Sequence, residues 1–281
     1  MQLASAGPGA PRSHARLSLV AMIDTHCHLT SLSVPVEEAI AGLSAVVSVG
    51  ISLEDCRATL AISDRLATVY CALGIHPNSA SAAAQPETRA AIEELAGGPR
   101  VVAIGETGFD THWDRETLAD QRQAFEWQAG LAKDLGKPLV LHVRDKQGSD
   151  TASRAAEAAL KAADHRQGVL HCFNGDRGLL AAALELGWYV SYAGNLTYKS
   201  AAELRVTATL VPLERLLVET DSPYLTPVPH RGERNVPRNV RHTAAALAAI
   251  REIEESEMER QLDDNAGNLF AFGAQLAGAS R

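Results

Sequence analysis

Short apolar runs recur along the chain and alternate with longer segments in which apolar residues return at helical spacing. Both faces of each run are apolar, which is typical of strands in a parallel sheet covered by helices. The segments between the runs predict helices, for example over residues 120–135 and 153–162, with more helix after residue 240. The runs themselves predict eight strands, at residues 19–24, 45–50, 68–74, 101–105, 138–142, 168–171, 188–191 and 216–219.

Eight strands that alternate with helices predict a (β/α)8 TIM barrel of the α/β class, with additional C-terminal helices. A doubly wound sheet is the alternative, but no GxGxxG turn follows the first strand. We expect a single barrel domain over residues 22–281. Residues 1–21, which contain Pro8 and Pro11, are expected to form a flexible N-terminal extension.

The composition is that of an ordinary globular protein, with 281 residues, 46% of them hydrophobic, and a net charge of −8. A protein that grips long nucleic acid nonspecifically usually carries a basic excess, so such a role would need a local basic patch. Four cysteines without a CxxC pair indicate reduced thiols, and no apolar run is long enough to span a membrane. We therefore expect a cytoplasmic protein that does not bind membranes.

Metal-binding side chains stand at the carboxyl ends of five predicted strands. In a barrel these ends converge on one face, and residues two apart in a strand point to the same side. Imidazole and carboxylate ligands without a thiolate suit Zn, Mn or Mg, so the pattern predicts a site for one of these ions. The residues are His26 and His28 at the end of the first strand and Glu106, His142, His171 and Asp221 at the ends of later ones.

Six motifs, IDTHCHL, GIHPN, IGETGFD, LHVRD, HCFNG and ETDSPYLTP, together resemble the signatures of the TatD-type metal-dependent hydrolases. The resemblance covers residues 22–270, which is nearly the whole chain. The family is similar to the amidohydrolase superfamily in fold and in the placement of its ligands. It is associated with metal-dependent deoxyribonuclease activity, often exonucleolytic.

The resemblance implies two divalent cations. His26, His28, Glu106 and Asp221 would hold the first, and Glu106 would bridge to a second that also binds His142 and His171. A bridged pair of cations stabilises the attacking and leaving oxygens together and activates a water as the nucleophile. The catalytic residues are then Glu106 and Asp221, with Asp221 acting as ligand and as general base. Glu219 is either a hydrogen-bond acceptor behind a ligand or part of an ion pair inside the barrel.

Two residues are candidates for contact with a substrate phosphate. The resemblance places His76 of GIHPN near the phosphate, although a structural histidine is the alternative. Arg234 and Asn235 lie in a stretch that resembles the family's R-N-x-P, and a guanidinium matches phosphate oxygens bidentately. Arg238 and Arg241 in the same stretch are expected to be solvated. Histidines without an evident partner, such as His165, are expected at the surface.

The chain departs from the family pattern after GETG, where the family usually has Leu-Asp-Tyr and this chain has Phe109-Asp110-Thr111. The ring that commonly lines the cleft is therefore missing at Thr111. His112 or Trp113 can replace it as a surface on which a base stacks.

The favoured interpretation is a cytoplasmic hydrolase that cleaves phosphodiester bonds in DNA through a metal-activated water, with a single-stranded or accessible end as its substrate. The alternative is an amidohydrolase-like enzyme that cleaves an amide or ester, for example an aminoacyl ester, at the same two-metal site. A third class is a barrel that binds without catalysis. The loss of a ligand would favour it, and none of the six is lost. No obligate protein partner is evident from the sequence.

Overall fold

The computed structural model describes residues 21–113 and 115–272, and their strands form one parallel eight-stranded sheet in the order β1 to β8. The predicted TIM barrel with C-terminal helices is thus confirmed. Apart from Ala21, the expected N-terminal extension lies outside the described residues. The strands are β1 Met22–Cys27, β2 Leu43–Gly50, β3 Val69–Leu73, β4 Val101–Asp110, β5 Leu139–Arg144, β6 Gly168–Leu170, β7 Tyr189–Tyr192 and β8 Leu216–Val218.

Helices of the described residues surround the sheet, and polar side chains cap several of them at their first turn. Thr117 Oγ1, for example, accepts a hydrogen bond from the backbone N–H of Asp120 at 3.1 Å, and the same helix ends at Gly136 with φ 60°. None of these helices has the length and apolar character needed to cross a bilayer. The helices are α1 Val36–Ala39, α2 Leu53–Ser63, α3 Pro86–Ala96, α4 Leu118–Leu135, α5 Thr151–Ala163, α6 Arg177–Glu185, α7 Ala202–Leu210, α8 Val240–Arg251 and α9 Glu255–Phe270.

The core has an outer and an inner layer because alternate residues of each strand face opposite ways. Outward residues such as Val46 and Leu141 pack against the helices in the largest apolar cluster. Inward residues such as Val47 and Val140 form a second cluster that fills the barrel. Phe272, which follows α9, lies 4.8 Å from the Tyr70 ring near the start of β3 and so closes the amino-terminal end. The opposite end, where the strands have their carboxyl termini, is called the mouth. Polar groups occupy it.

The barrel closes where β8 meets β1. The N–H of His28 donates to the carbonyl of Ser222 at 2.8 Å, and Thr25 Oγ1 donates to the carbonyl of Val218 at 2.7 Å. Closure places the segment after β8 directly beside the His26–His28 segment.

β4 is longer than the predicted strand at residues 101–105, because its polar second half also pairs with β5. Gly108 permits this pairing, since its φ is +140° and a Cβ there would lie 2.0 Å from the carbonyl oxygen of His142. Between Ile104 and Thr107 the strand advances three residues while β5 advances two, from Leu139 to Leu141. One extra residue therefore bulges beside Glu106, and bulges commonly re-aim a side chain next to an active site.

Candidate metal centre

The barrel brings the six predicted ligands together at its mouth. The first two come from β1 and the residue that follows it, and the others lie in or just after β4, β5, β6 and β8. Four of the six residues are buried, and the side chains of His142 and Asp221 are each 15% exposed. We call these six residues the histidine–carboxylate cluster: His26, His28, Glu106, His142, His171 and Asp221.

Glu106 lies at the centre of the cluster, and its two oxygens face different histidines. Its Oε1 is 2.7 Å from His142 Nδ1 and 3.1 Å from His171 Nε2. Its Oε2 is 3.5 Å from His26 Nε2 and 3.9 Å from His28 Nε2. A single carboxylate thus connects two separate pairs of imidazole nitrogens.

Asp221 completes the side of the cluster formed by β1. Its Oδ1 lies 3.4 Å from His28 Nε2 and 3.9 Å from His26 Nε2. The backbone of Asp221 adopts a left-handed conformation with φ 52°, and its N–H donates to the carbonyl of His26 at 2.9 Å. Asp adopts this conformation more readily than most residues, and the neighbouring hydrogen bonds hold it there.

Hydrogen bonds on the far side of three imidazoles leave one nitrogen of each ring directed at the carboxylates. His171 Nδ1 lies 2.8 Å from Glu219 Oε1, a contact that fits both interpretations of Glu219, as a hydrogen bond and as an ion pair inside the barrel. His28 Nδ1 contacts the carbonyl of Val49 at 3.3 Å, and His142 Nε2 contacts Asp110 Oδ2 at 3.1 Å. Such partners fix the tautomer and orientation of a histidine that ligates a metal.

Burial and mutual charge set the ionisation of the cluster. Burial alone would raise the pKa of Glu106, but the histidines around it, with His171 first, hold that pKa well below its usual range. Burial lowers the pKa of His171, yet Glu219 and Glu106 together raise it well above its usual value. Burial and the nearby His171 lower the pKa of His26. The carboxylates are therefore ionised in a buried place, where they attract positive charge.

The donor set fits divalent cations. Two groups, His26 with His28 and Glu106, and Glu106 with His142 and His171, each have ligand atoms within 4.8 Å of one another. Both ring nitrogens of His26 and Oε2 of Glu106 are buried and have no hydrogen-bond partner. Buried polar atoms without a partner are costly, and a cation bound between His26 Nε2 and Glu106 Oε2 would satisfy these two atoms. Nitrogen and oxygen donors of this kind suit Zn, Mn or Mg.

Asp110 belongs to the site, although the sequence analysis gave it no role. Its Oδ2 contacts His142, and its Oδ1 accepts hydrogen bonds from the N–H groups of His112 and Trp113 at 2.8 and 3.3 Å. Burial would raise the pKa of Asp110, but the contact with His142 and the hydrogen bond from the N–H of His112 lower it to about 2. Its position four residues after Glu106, on an extended strand, was the signal that could have identified it.

Asp24 is a second residue that the sequence analysis missed. It is fully buried, and its two oxygens accept from the backbone N–H of Thr220 at 2.9 Å and from Thr220 Oγ1 at 2.6 Å. Asp24 thereby connects β1 to the residue that precedes Asp221. Burial raises its pKa well above the usual value.

His76 faces the cluster from the end of β3. Its Nδ1 accepts from the N–H of Asn78 at 3.0 Å, so the neutral ring carries its proton on Nε2. That nitrogen lies 3.5 Å from Glu106 Oε1. Burial lowers the pKa of His76, which favours the neutral form.

The arginines after β8 differ in their exposure to solvent. Arg234 is exposed, and its Nη2 donates to the carbonyl of Ser31 at 3.3 Å, on the loop after β1. Arg238 is also exposed, as expected. Arg241 is half-buried and donates to the carbonyl of Gly42 at 2.9 Å, so the expectation of a solvated side chain is wrong for this residue.

Comparisons with known proteins agree with this geometry. Residues 23–271 match the family described as TatD related DNase. The chain is 37% identical over 266 residues to a protein of Mycobacterium tuberculosis H37Rv named an uncharacterized metal-dependent hydrolase TatD, covering 90% of this chain and 98% of that one. It is 34% identical over 271 residues to the uncharacterized metal-dependent hydrolase YcfH of Escherichia coli K12, with 90% and 97% covered.

Among solved structures, the chain resembles YjjV, a TatD homolog of Escherichia coli K12, with a TM-score of 0.78, 27% identity, and 89% and 98% of the two chains covered. A TIM barrel whose strand ends gather histidines and carboxylates defines a metal-dependent hydrolase of amidohydrolase-like fold. Within that class, the chain belongs to the TatD-related DNase family.

Proposed function

We propose that the protein hydrolyses phosphodiester bonds in DNA, using two divalent cations at the histidine–carboxylate cluster. His26, His28, Glu106 and Asp221 would hold the first cation, and Glu106, His142 and His171 the second. The observation that carries this proposal is the position of Glu106, whose two oxygens face separate pairs of imidazole nitrogens.

Cations bound there supply Lewis acidity toward the phosphate oxygens and a water that ionises near neutral pH. Asp221 is the base that takes the proton of the attacking water. Its side chain is 15% exposed, whereas those of Glu106 and Glu219 are 3% and 1% exposed, so Asp221 is the most accessible of the three from the mouth. As the water oxygen bonds to phosphorus, the bond to the leaving oxygen breaks, and that oxygen takes up the proton that Asp221 accepted.

The groups around the cluster favour a phosphodiester over a small amide or ester. The Nε2 proton of His76 is positioned to donate a hydrogen bond to a phosphate oxygen beside Glu106. Arg234 lies on the loop after β8, where TIM barrels frequently bind phosphate.

The depth of the cluster favours cleavage near a strand end. His26 is 1% exposed and Glu106 is 2% exposed, so the scissile bond must enter the mouth to reach them. A single strand or a frayed end can enter in this way, whereas the backbone of an intact duplex is held on a wide, stiff helix. We place the enzyme in the cytoplasm because all four cysteines are free thiols.

The test is a chelation and reconstitution assay. Purified protein is stripped with a chelator, supplied with Mg, Mn or Zn, and assayed on end-labelled DNA, on RNA and on an aminoacyl ester. We expect chelation to abolish cleavage of DNA and one of the metals to restore it. Cleavage of the ester but not of DNA would replace this proposal with the amidohydrolase alternative.

Glu106→Ala examines the bridging role directly. It should lower the content of both cations, measured by elemental analysis, and reduce DNA cleavage by orders of magnitude while the barrel still folds. Glu157→Ala is the control, because this carboxylate pairs with Lys161 at 2.6 Å on the outer helix α5. A full complement of two cations in the Glu106→Ala protein would refute the bridge.

A further inference from the structure

An aromatic ring is exposed beside the cluster, on the loop after β4. The side chain of Trp113 is 52% exposed, although a large apolar ring is usually covered in a folded protein. Arg144 and Arg115 place their guanidinium carbons 5.5 and 5.8 Å from the centre of this ring. Arg144 is two residues beyond His142 on β5, so the ring lies next to a strand that carries part of the cluster.

Hydrogen bonds attach the loop of Trp113 to the cluster. One oxygen of Asp110 accepts a hydrogen bond from the N–H of Trp113, and the other contacts His142. Thr111 stands where the family pattern has its ring, and it connects β4 to β5. Its N–H donates to the carbonyl of Arg144 at 2.9 Å, and its Oγ1 accepts from the N–H of Lys146 at 3.2 Å. The aromatic side chain is thus displaced by two residues but is held at the same mouth.

An arginine over an aromatic ring is not by itself a sign of binding, because the molecule contains several such pairs. Guanidinium carbons also lie 4.3 and 5.0 Å from the ring centres of Tyr70 and Tyr189, but these residues are only 4% and 7% exposed. Trp127 lies under Arg89 at 5.2 Å on the outer helix α4, and its Nε1 donates to Glu93. Trp113 differs from these three in its exposure and in its place at the mouth. It differs in exposure from Tyr198, which follows β7, lies 3.8 Å from Arg231 and is half-buried.

A second exposed ring lies on the other side of the cluster. Tyr224, in the segment after β8, is 56% exposed, and its ring centre is 6.0 Å from that of His28. In the strand order β1 to β8, the β8–β1 junction lies across the barrel from β4 and β5. The cluster is therefore flanked by an exposed ring on each side.

We infer that Trp113, with Arg144 and Arg115, forms a platform on which an unpaired base of single-stranded DNA stacks as the strand enters the mouth. Every base has a face that stacks on an aromatic ring, and the adjacent guanidinium groups supply cations for the neighbouring phosphates. Bases of a duplex are already stacked on one another and do not offer this face. The inference names the substrate of the proposed nuclease and so rests on that function.

Binding can be measured separately from cleavage through tryptophan fluorescence. The chain has three tryptophans, and the third, Trp188, is fully buried. The probe is a single-stranded oligothymidylate with phosphorothioate linkages, which slow cleavage. It should quench the wild-type protein and the Trp127→Phe control, and it should leave the emission of Trp113→Phe nearly unchanged. Equal quenching of the two variants would overturn the platform.

Affinity and cleavage give the second measurement. Trp113→Ala should weaken binding of the single strand roughly 5- to 150-fold, the usual effect of removing one stacking ring, while Trp113→Phe retains most of the affinity. Cleavage of a strand whose terminal residues are abasic should not change, because no base is present to stack. An equal loss on the abasic strand would indicate a general defect and would also overturn the platform.

The outcomes distinguish this inference from the proposed function. Quenching through Trp113 without cleavage of DNA under any metal would refute the nuclease and leave the platform standing. Cleavage of DNA with no effect of Trp113→Ala would refute the platform alone. Tighter wild-type binding of a duplex than of the single strand, or of oligouridylate than of oligothymidylate, would refute the proposed substrate.

Discussion

Replacing Asp110 with Asn should weaken the binding of one cation and leave the other unchanged. Oδ2 of Asp110 contacts His142 Nε2 at 3.1 Å and accepts from Asn78 Nδ2 at 3.2 Å. Oδ1 accepts from the N–H groups of His112 and Trp113. Both oxygens thus face donors, and an Asn side chain has only one oxygen to offer. Its amide NH2 must then point at one of these sets of donors.

The expected loss of metal affinity follows from the carboxylate contact that His142 loses. A hydrogen bond to a charged partner contributes roughly 1.5–3 kcal/mol. Removing the carboxylate behind a metal-bound histidine typically costs about 10- to 100-fold in metal affinity. We expect a loss of that size for the cation proposed to bind His142 and His171. The cation proposed to bind His26 and His28 should bind as before, because Asp110 contacts neither ring.

The assay is a competition titration of the metal-free protein against a chromophoric chelator, which resolves the two affinities. Asp145→Asn is the matched control. This carboxylate follows β5, and it accepts from the N–H of Ala152 at 2.7 Å and from Ser153 Oγ at 2.6 Å at the start of α5. The control should lower Tm without changing either metal affinity. If the Asp110→Asn protein binds both cations as tightly as the control does, the role of Asp110 is refuted.

Three further outcomes are expected. Asp221→Asn keeps an oxygen in place but removes the base, so kcat should fall by orders of magnitude with little change in KM; a wild-type kcat would place the base elsewhere. Arg234→Ala should weaken DNA cleavage about ten- to hundredfold at low salt and less at high salt, without affecting a neutral ester; a loss independent of salt would argue against a phosphate contact. Burial, with nearby carboxylates, raises the pKa of Asp263 to about 7, so the native state retains a proton that the unfolded chain releases near pH 4. The free energy of unfolding should therefore fall by up to about 4 kcal/mol as the pH rises from 4 to 7, and denaturant titrations should show that Asp263→Asn, which keeps an acceptor for the N–H of Ile23, removes this slope.

The fold and the gathering of the cluster could be predicted because both follow from simple periodicities. Apolar runs of strand length with helices between them specify the barrel, and a barrel brings its strand ends to one face. Residues as far apart in sequence as His26 and Asp221 are brought within 3.9 Å by this topology alone. The predicted position at a strand end was therefore enough to place each of them at the mouth.

The second half of β4 could not be predicted in this way, because an apolar run was the only signal used for a strand. The run ends at Gly105, and Glu106 and Asp110 beyond it are charged although they are buried. These two residues serve the cluster, whereas Phe109 between them packs in the apolar core. The bulge beside Glu106 is set by pairing with β5 and leaves no mark in the local sequence.

His165 shows a similar limit for a single residue, and its expected surface position is wrong. It is 7% exposed, and its Nε2 lies 3.0 Å from the carbonyl of Lys137. Its own carbonyl accepts from Trp188 Nε1 at 2.6 Å. The partners lie 28 and 23 residues away along the chain, so no local pattern could reveal them.

Asn235 and Arg234 are neighbours in one motif, but their side chains have different roles. Asn235 is fully buried, and its Nδ2 donates to the carbonyls of Thr220 and Tyr224 at 2.9 and 2.7 Å. Asp24 accepts a hydrogen bond from the N–H of the same residue, Thr220. Two buried polar side chains thus fix the residue before Asp221, whose left-handed backbone would otherwise be free to relax. The role of Asp221 as a base stays a prediction from the sequence, whereas the fold shows that β1 and the segment after β8 jointly hold it in position.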